Sequence, residues 1–181
     1  MTNKLSSEQF SDKLKSLKLL LLDVDGVLTD GKLYMSESGQ EAKCFNTLDG
    51  QGIKALRRSG VEVGIITGRK TALVANRAKD LGIHIIAQGR EDKFDALKEL
   101  IDFNEFPLDQ IAFLGDDLPD LTVMTKVGLS LCVKNAHQEV AARAHWQTSR
   151  AGGSGAVREV CDLIMQAQQT YDLMVSSYVN N

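Results

Sequence analysis

The segment LLLLDVDGVLTD, residues 19–30, constrains the fold more than any other part of the chain. Four consecutive leucines predict a short strand that is buried on both faces, as strands of parallel sheets are. Asp23 and Asp25 follow this strand directly, two residues apart. Two carboxylates in such a position repel each other and lose hydration unless a cation or a shared proton lies between them. The segment is therefore either a sharp turn in which aspartates cap backbone amides, or a functional site.

The rest of the chain alternates between strand-like and helix-like patterns. Apolar strand-like runs lie at 61–67, 83–87, 110–116 and 128–133, with a weaker one at 145–148. Amphipathic helical patterns separate them. Single helices between continuous apolar strands predict an α/β fold with a doubly wound (Rossmann-like) parallel sheet and helices on both faces. We expect residues 1–181 to form a single domain.

Two segments depart from this alternation. Residues 31–46 contain two short runs around SESGQ and predict a β-hairpin that projects from the first strand–helix connection. Residues 149–170 read as a glycine-rich loop that leads into a C-terminal helix, and a polar tail follows. The loop is either a disordered linker or a flexible lid over a neighbouring subunit, since glycines permit close approach and rapid opening.

Composition excludes several classes of protein. The chain has 181 residues, 43% of them hydrophobic and 25% charged, and a net charge of −3. Without a long basic run, a nucleic-acid partner is not expected. No apolar stretch approaches the ~20 residues that cross a bilayer, so we expect no membrane association. The three cysteines lack disulfide or zinc spacing, which favours a cytoplasmic location.

Polar side chains follow the predicted strands where ligands bind to open parallel sheets. Asp23 and Asp25 follow the first strand, Thr67 ends the second and Asp116 follows the fourth. Lys93 begins the helix after the third strand. These carboxylates, one hydroxyl and one ammonium together predict a site for Mg²⁺ and a phosphate group. Taken singly, Asp25 could form a turn, Thr67 could cap a helix, and Asp116 with Asp117 could cap the helix near Leu118.

In this order, DVDGVLTD, TGR, Lys93 and GDDLPD resemble the four motifs of the haloacid-dehalogenase-like phosphohydrolases. The resemblance implies that Asp23 is the nucleophile and Asp25 the general acid and base. It assigns Thr67 and Lys93 to the phosphoryl oxygens. Mg²⁺ would be held by Asp23, Asp116 and the backbone carbonyl of Asp25. A carboxylate can attack a phosphate dianion only where such positive charge offsets their repulsion.

Two kinds of protein outside this enzyme class share part of this pattern. Response-regulator receivers also gather acids, a hydroxyl and a lysine at strand ends, but in a different order along the chain. A catalytically inactive structural or regulatory subunit remains an alternative, although every motif residue is intact.

The spacing between the motifs leaves no room for a cap domain. Only the hairpin and a helix separate Asp23 from Thr67, so the site would stand open to water. The hairpin could serve as a lid supplied by a neighbouring subunit.

The segments DVDGVLTDGKLYMSESGQEAKCFNTLDGQGI, ITGRK and AGGSGAVREVCDLI resemble the 3-deoxy-D-manno-octulosonate 8-phosphate phosphatase family of lipopolysaccharide biosynthesis. This resemblance extends over nearly the whole chain. That resemblance implies a homotetramer whose active sites are completed by neighbouring subunits, and a small-molecule sugar acid phosphate as substrate. A phosphatase of a nine-carbon, sialic-acid-type substrate is the alternative. The implied substrate contacts are Asp25, Asn46, Thr47, Leu48, Asp49, Gly50, Lys54, Arg69, Arg77 and Lys93.

Some of these residues carry further expectations. Lys54 stands where the family resemblance implies an arginine, and the two are not equivalent at bidentate sites. Asp49 could instead cap the helix that begins near Gly50. Arg69 and Arg77 are expected two turns apart on one helix, as cations for the sugar acid carboxylate. Deleting the chain from Ala151 onward is expected to leave the sheet and the metal site intact.

Overall fold

A computed structural model describes residues 5–180, apart from the side chain of Asn104. Among these residues, no helix has the length and apolar character needed to cross a membrane. The helices are α1 (Ser7–Ser16), α2 (Thr47–Arg58), α3 (Ala72–Leu81), α4 (Lys93–Asn104), α5 (Leu121–Met124), α6 (Gln138–Ala141), α7 (Ala156–Ala167) and α8 (Tyr171–Val179). The strands are β1 (Leu19–Leu22), β2 (Tyr34–Met35), β3 (Glu41–Ala42), β4 (Glu62–Thr67), β5 (Ile85–Gln88), β6 (Ile111–Gly115), β7 (Leu129–Cys132) and β8 (Trp146–Gln147).

The central sheet has six strands in the order β5-β4-β1-β6-β7-β8, and all neighbouring pairs are parallel. The first strand of the chain therefore lies inside the sheet, between β4 and β6. Leu22 at its end pairs in register with Ile65 and Leu114. This arrangement confirms the doubly wound parallel sheet, including the weak edge strand near Trp146.

Burial on both faces of the sheet explains why β1 is apolar throughout. Leu20 and Leu22 belong to the hydrophobic core on one face of the sheet, which α1, α2, α3 and α7 cover. Leu19 and Leu21 belong to the core on the other face, which α4, α5 and α6 cover. Side chains alternate between faces along a strand, so a strand with helices on both sides must be apolar at every position. All four leucines are fully buried.

The predicted hairpin is present. β2 and β3 form a separate two-stranded antiparallel sheet, in which Tyr34 pairs with Ala42 and Met35 with Glu41. Between β1 and β4 the chain forms only this hairpin and α2, so no cap domain is inserted there.

The C-terminal region differs from the sequence-based expectation in two ways. The polar tail forms a further helix, α8. The expectation that the chain from Ala151 onward is dispensable for the sheet is wrong, because α7 supplies a core face. Val160 and Ile164 of α7 are fully buried in the same core as β1. Their removal would expose that face of the sheet to water.

The glycine-rich loop packs closely on its own chain. Its Gly153 amide donates to the carbonyl of Val27 at 2.9 Å. A Cβ atom on Gly152 would lie 1.6 Å from the carbonyl oxygen of Gly26. Close approach therefore occurs within the subunit, and the loop braces the segment that follows β1. Neither a disordered linker nor a flexible lid describes it.

The role of α7 can be tested by truncating its buried side chain. We expect Ile164→Ala to lower the free energy of unfolding by about 2–5 kcal/mol, because it leaves a cavity in the core. Leu173→Ala on α8, where the leucine is 71% exposed, should change it by less than about 0.5 kcal/mol. Urea unfolding monitored by circular dichroism measures both, and equal stabilities of the two variants would contradict the assignment of α7 to the core.

Candidate active site

The ends of the parallel strands bring the predicted catalytic residues together. Asp23 follows β1, Thr67 ends β4, Asp116 follows β6 and Lys93 is the first residue of α4. They line one cavity of about 530 Å³, which Asp25 also lines. Asp23, Thr67 and Lys93 are each no more than 5% exposed. Further lining residues are Gly31, Gly68, Arg69, Glu91, Asp117, Pro119 and Asp120.

The backbone after β1 requires a glycine. Gly26 has a φ of +101°, a conformation that L-residues with a side chain rarely adopt. A Cβ atom there would lie 2.1 Å from Oδ2 of Asp116. Thr29 stabilises the turn, because its hydroxyl accepts from the amides of Gly26 and Gly31 at 3.4 and 3.3 Å. This turn places Asp23 and Asp25 against the end of β6.

Lys93 lies between two buried carboxylates. Its Nζ donates to Oδ1 of Asp23 and Oδ1 of Asp120, both at 2.6 Å. Burial alone would lower the pKa of the Lys93 ammonium, but the two carboxylates outweigh it and raise the pKa overall. Lys93 is thus a fixed positive charge beside Asp23.

The sequence did not indicate a role for Asp120, whereas the structure shows one. Its Oδ2 accepts from the amides of Asp116 and Asp117 at 2.8 and 3.2 Å, so it orders the loop after β6. Asp117 caps the turn that follows it, because its carboxylate accepts from the amide of Leu118. This agrees with the capping role that the sequence allowed for Asp117. The motif GDDLPD carried the signal, since Asp120 is the residue four after Asp116.

Asp23, Asp116 and Asp120 form a candidate cation site, since each offers a carboxylate oxygen within 4.8 Å of the others. Burial, followed by the charge of Asp120, raises the pKa of Asp23 to about 7. Burial, followed by the charges of Asp23 and Asp120, raises the pKa of Asp116 to about 8. Clustered, buried oxygen ligands whose charges repel one another fit Mg²⁺, which offsets that repulsion.

The Asp25 side chain is directed elsewhere. It forms an ion pair with Lys43, whose side chain is 2% exposed. Lys43 lies in the hairpin connection next to β3 and was missed by sequence analysis. The carboxylate of Asp25 is not part of the acidic cluster. The predicted backbone contact of Asp25 to Mg²⁺ and its acid–base role remain proposals.

Arg69 and Arg77 do not share a helix, contrary to expectation. Arg69 precedes α3 and lines the cavity, whereas Arg77 lies within α3 and donates to the carbonyl of Asn46 at 3.3 Å. Thr71 caps α3 through the amide of Val74, so Thr67 is not the cap. The hydroxyl of Thr67 remains available in the cavity.

The predicted substrate contacts at 46–50 do not line the cavity of their own subunit. Asn46 caps α2 through the amide of Leu48 and donates to the carbonyl of Gly153. Gly50 packs against the Arg77 guanidinium. Thr47 and Leu48 are exposed, and Lys54 is half-buried on α2.

Asp49 has a structural role in this subunit. It is 1% exposed, and its Oδ1 accepts from the backbone amide of Arg158 at 2.8 Å. It therefore caps the N-terminus of α7 and not that of its own helix. Burial raises the pKa of Asp49, against the opposing effect of the amides at the start of α7.

Comparison with known proteins decides the family. The family model for haloacid dehalogenase-like hydrolases matches residues 83–160. The chain is 48% identical over 160 residues to the 3-deoxy-D-manno-octulosonate 8-phosphate phosphatase KdsC of Escherichia coli K12, covering 88% of this chain and 85% of that protein. This chain belongs to the 3-deoxy-D-manno-octulosonate 8-phosphate phosphatase family.

Solved structures of this phosphatase family have the same fold. The Moraxella catarrhalis enzyme, solved in complex with magnesium ion, phosphate ion and a KDO molecule, superposes with a TM-score of 0.93 at 41% identity, covering 96% of this chain and 99% of that one. The Yersinia pestis phosphatase superposes with a TM-score of 0.89 at 45% identity, covering 91% and 89% of the two chains.

The acidic cluster predicts that Mg²⁺ binding depends on pH. The pKa values of Asp23 and Asp116, about 7 and about 8, lie above the ordinary 3.8, so at pH 6 both carboxyls hold protons that a cation must displace. We expect the apparent Kd for Mg²⁺ to be at least about tenfold higher at pH 6 than at pH 8.5, since one displaced proton gives a factor of ten per pH unit below its pKa. Calorimetric titration at the two pH values measures this.

A matched variant separates this effect from general titration. Asp12→Asn alters a 66% exposed carboxylate on α1, away from the cluster, so it should retain the pH dependence. Affinity independent of pH in the unmodified chain would contradict the raised pKa values.

Proposed function

We propose that this chain is an Mg²⁺-dependent phosphatase that hydrolyses 3-deoxy-D-manno-octulosonate 8-phosphate to the free sugar acid and phosphate, in lipopolysaccharide biosynthesis. The observation that carries the proposal is the buried cluster of Asp23, Asp116 and Asp120 around Lys93, which shares its cavity with Arg69. Its relatives at 41–48% identity bear this activity in their names. A nine-carbon substrate has no comparable support, and an inactive subunit would not need this cluster.

In the proposed mechanism, bound Mg²⁺ supplies positive charge that offsets the repulsion between the phosphate and the carboxylates. An Asp23 oxygen attacks phosphorus, and the bond from phosphorus to the sugar oxygen breaks. Asp25 gives a proton to that departing oxygen, and the product is an aspartyl phosphate on Asp23. Asp25 then removes a proton from water, which attacks phosphorus and restores the Asp23 carboxylate.

The remaining residues of the cavity bind and orient the substrate. Lys93 holds phosphoryl oxygens with its ammonium group, whose position the two carboxylates fix. The Thr67 hydroxyl donates to a further phosphoryl oxygen from the end of β4. Arg69, half-exposed at the cavity, pairs with the carboxylate of the sugar acid.

We further propose a cytoplasmic homotetramer in which hairpins assemble and neighbouring subunits complete each site. The hairpin exposes a group of apolar side chains, with Leu33 54%, Tyr34 42% and Met35 64% exposed. Exposed apolar groups of this kind mark association surfaces. Residues 46–48, Lys54 and Arg77 lie outside the cavity of their own subunit, which is consistent with contacts to a substrate held by a neighbour. The three cysteines are unpaired, in keeping with a reducing compartment.

The reaction is tested by phosphate release from 3-deoxy-D-manno-octulosonate 8-phosphate with Mg²⁺. We expect Asp23→Asn to retain less than about a hundredth of the activity, because it removes the nucleophilic charge and a metal ligand while keeping the shape. Asp12→Asn is the matched control and should stay active, since Asp12 is an exposed residue of α1 that does not line the cavity. Activity of Asp23→Asn near that of the unmodified chain would contradict the nucleophile assignment.

The assembly is tested on the hairpin. We expect Met35→Lys to shift the mass in analytical ultracentrifugation from tetramer towards monomer, because it places a charge in the proposed interface. Phe103→Lys, which alters an 87% exposed apolar residue on α4, should leave the mass unchanged. An unmodified chain that sediments as a fully active monomer would overturn the proposed arrangement.

A further inference from the structure

A second buried lysine adjoins the cavity. The Lys43 side chain is only 2% exposed, and its Nζ contacts a carboxylate oxygen of Asp25. It also lies 3.2 Å from Oε1 of Glu41 in β3. Burial of an ammonium group is costly unless it is paired, and Lys43 is paired on two sides. The chain therefore keeps a cation at the side of Asp25 that faces the hairpin.

Glu41 links this pair to the cavity wall. Its Oε2 accepts from Nη2 of Arg69 at 2.8 Å. Asp25, Lys43, Glu41 and Arg69 thus form a row of alternating charges. Because Glu41 is held by a cation at each end, it gives the Lys43 ammonium a fixed second partner. Lys43 is anchored to the hairpin and does not simply follow Asp25.

The position of Lys43 bears on where Asp25 points. Five aspartates line the cavity, namely Asp23, Asp25, Asp116, Asp117 and Asp120. Among the described residues, only Asp23, Asp116 and Asp120 place carboxylate oxygens within 4.8 Å of one another. A divalent cation attracts every carboxylate within reach, and a carboxylate bound to it is less able to transfer protons. Pairing with Lys43 holds the Asp25 carboxylate apart from the other three.

We propose that Lys43 is a positioning residue that keeps the Asp25 carboxylate off the metal and directed to the leaving group. The inference rests on the proposed function, because it takes Asp25 as the proton carrier. Without Lys43, the Asp25 carboxylate turns towards the cation and adds a ligand to it. Proton transfer to the departing oxygen then weakens while the metal stays bound.

The leaving group of the substrate distinguishes loss of this positioning role from a general loss of active-site structure. The ratio kcat/KM reports only the steps up to release of the alcohol, which include protonation by Asp25 but not the later attack of water. An alkyl alkoxide needs that proton, whereas p-nitrophenolate departs without it. We therefore expect Lys43→Met to lower kcat/KM by about 10–100-fold for the sugar acid phosphate and by less than about threefold for p-nitrophenyl phosphate.

Three further measurements sharpen the test. The Kd for Mg²⁺ from calorimetry should be unchanged or lower in Lys43→Met. Lys43→Arg, which keeps a cation, should recover most of the alkyl-ester activity. Lys32→Met alters a 72% exposed lysine at the base of the same hairpin and should leave both substrates unaffected.

The outcomes separate clearly. Equal losses on both substrates, a weaker Mg²⁺ affinity in Lys43→Met, or unchanged kinetics would each overturn the positioning role. Failure of the proposed function looks different, because the unmodified chain would then not release phosphate from 3-deoxy-D-manno-octulosonate 8-phosphate. In that case any simple alkyl phosphate that it does hydrolyse, compared with p-nitrophenyl phosphate, still tests Lys43.

Discussion

The contact of the Lys93 ammonium with Asp23 and Asp120 is the interaction on which the rest of the site depends. These groups are buried at one edge of the sheet, where an unpaired charge would be strongly unfavourable. Breaking such a buried pair typically costs about 3–5 kcal/mol. Lys93 begins α4, and Asp120 orders the loop after β6 through two backbone amides. One ammonium thus holds both Asp23 and the loop that carries Asp116.

Much of this arrangement could be predicted because it follows from periodicity and topology. The four leucines of β1 indicated a strand buried on both faces, and the alternation of patterns indicated a parallel sheet. In such a sheet the residues after each strand meet at one edge. The predicted convergence of Asp23, Thr67, Lys93 and Asp116 is found in the structure, although their chemical roles remain proposals.

What could not be predicted depends on contacts between distant parts of the chain. Lys43 meets Asp25 only because the hairpin folds back, and its register is not fixed by local pattern; a weak signal was that Glu41 and Lys43, two apart, share a face. Asp49 lies in a helical pattern but caps α7, more than a hundred residues away. The polar tail gave little periodicity, yet it forms α8. Local sequence shows what a residue can bind but not which distant partner reaches it.

The packing of Gly152 on Gly26 has a consequence for synthesis of the chain. Gly26 leaves the ribosome more than a hundred residues before Gly152, the residue that packs on it. At roughly 5–20 residues per second, the interval between them is on the order of ten seconds. During this time β4 and β6, the neighbours of β1 in the sheet, are synthesised, but the glycine contact is still missing. A nascent chain therefore carries its acidic motif without this brace, and the turn that follows β1 can be completed only once Gly152 has been synthesised.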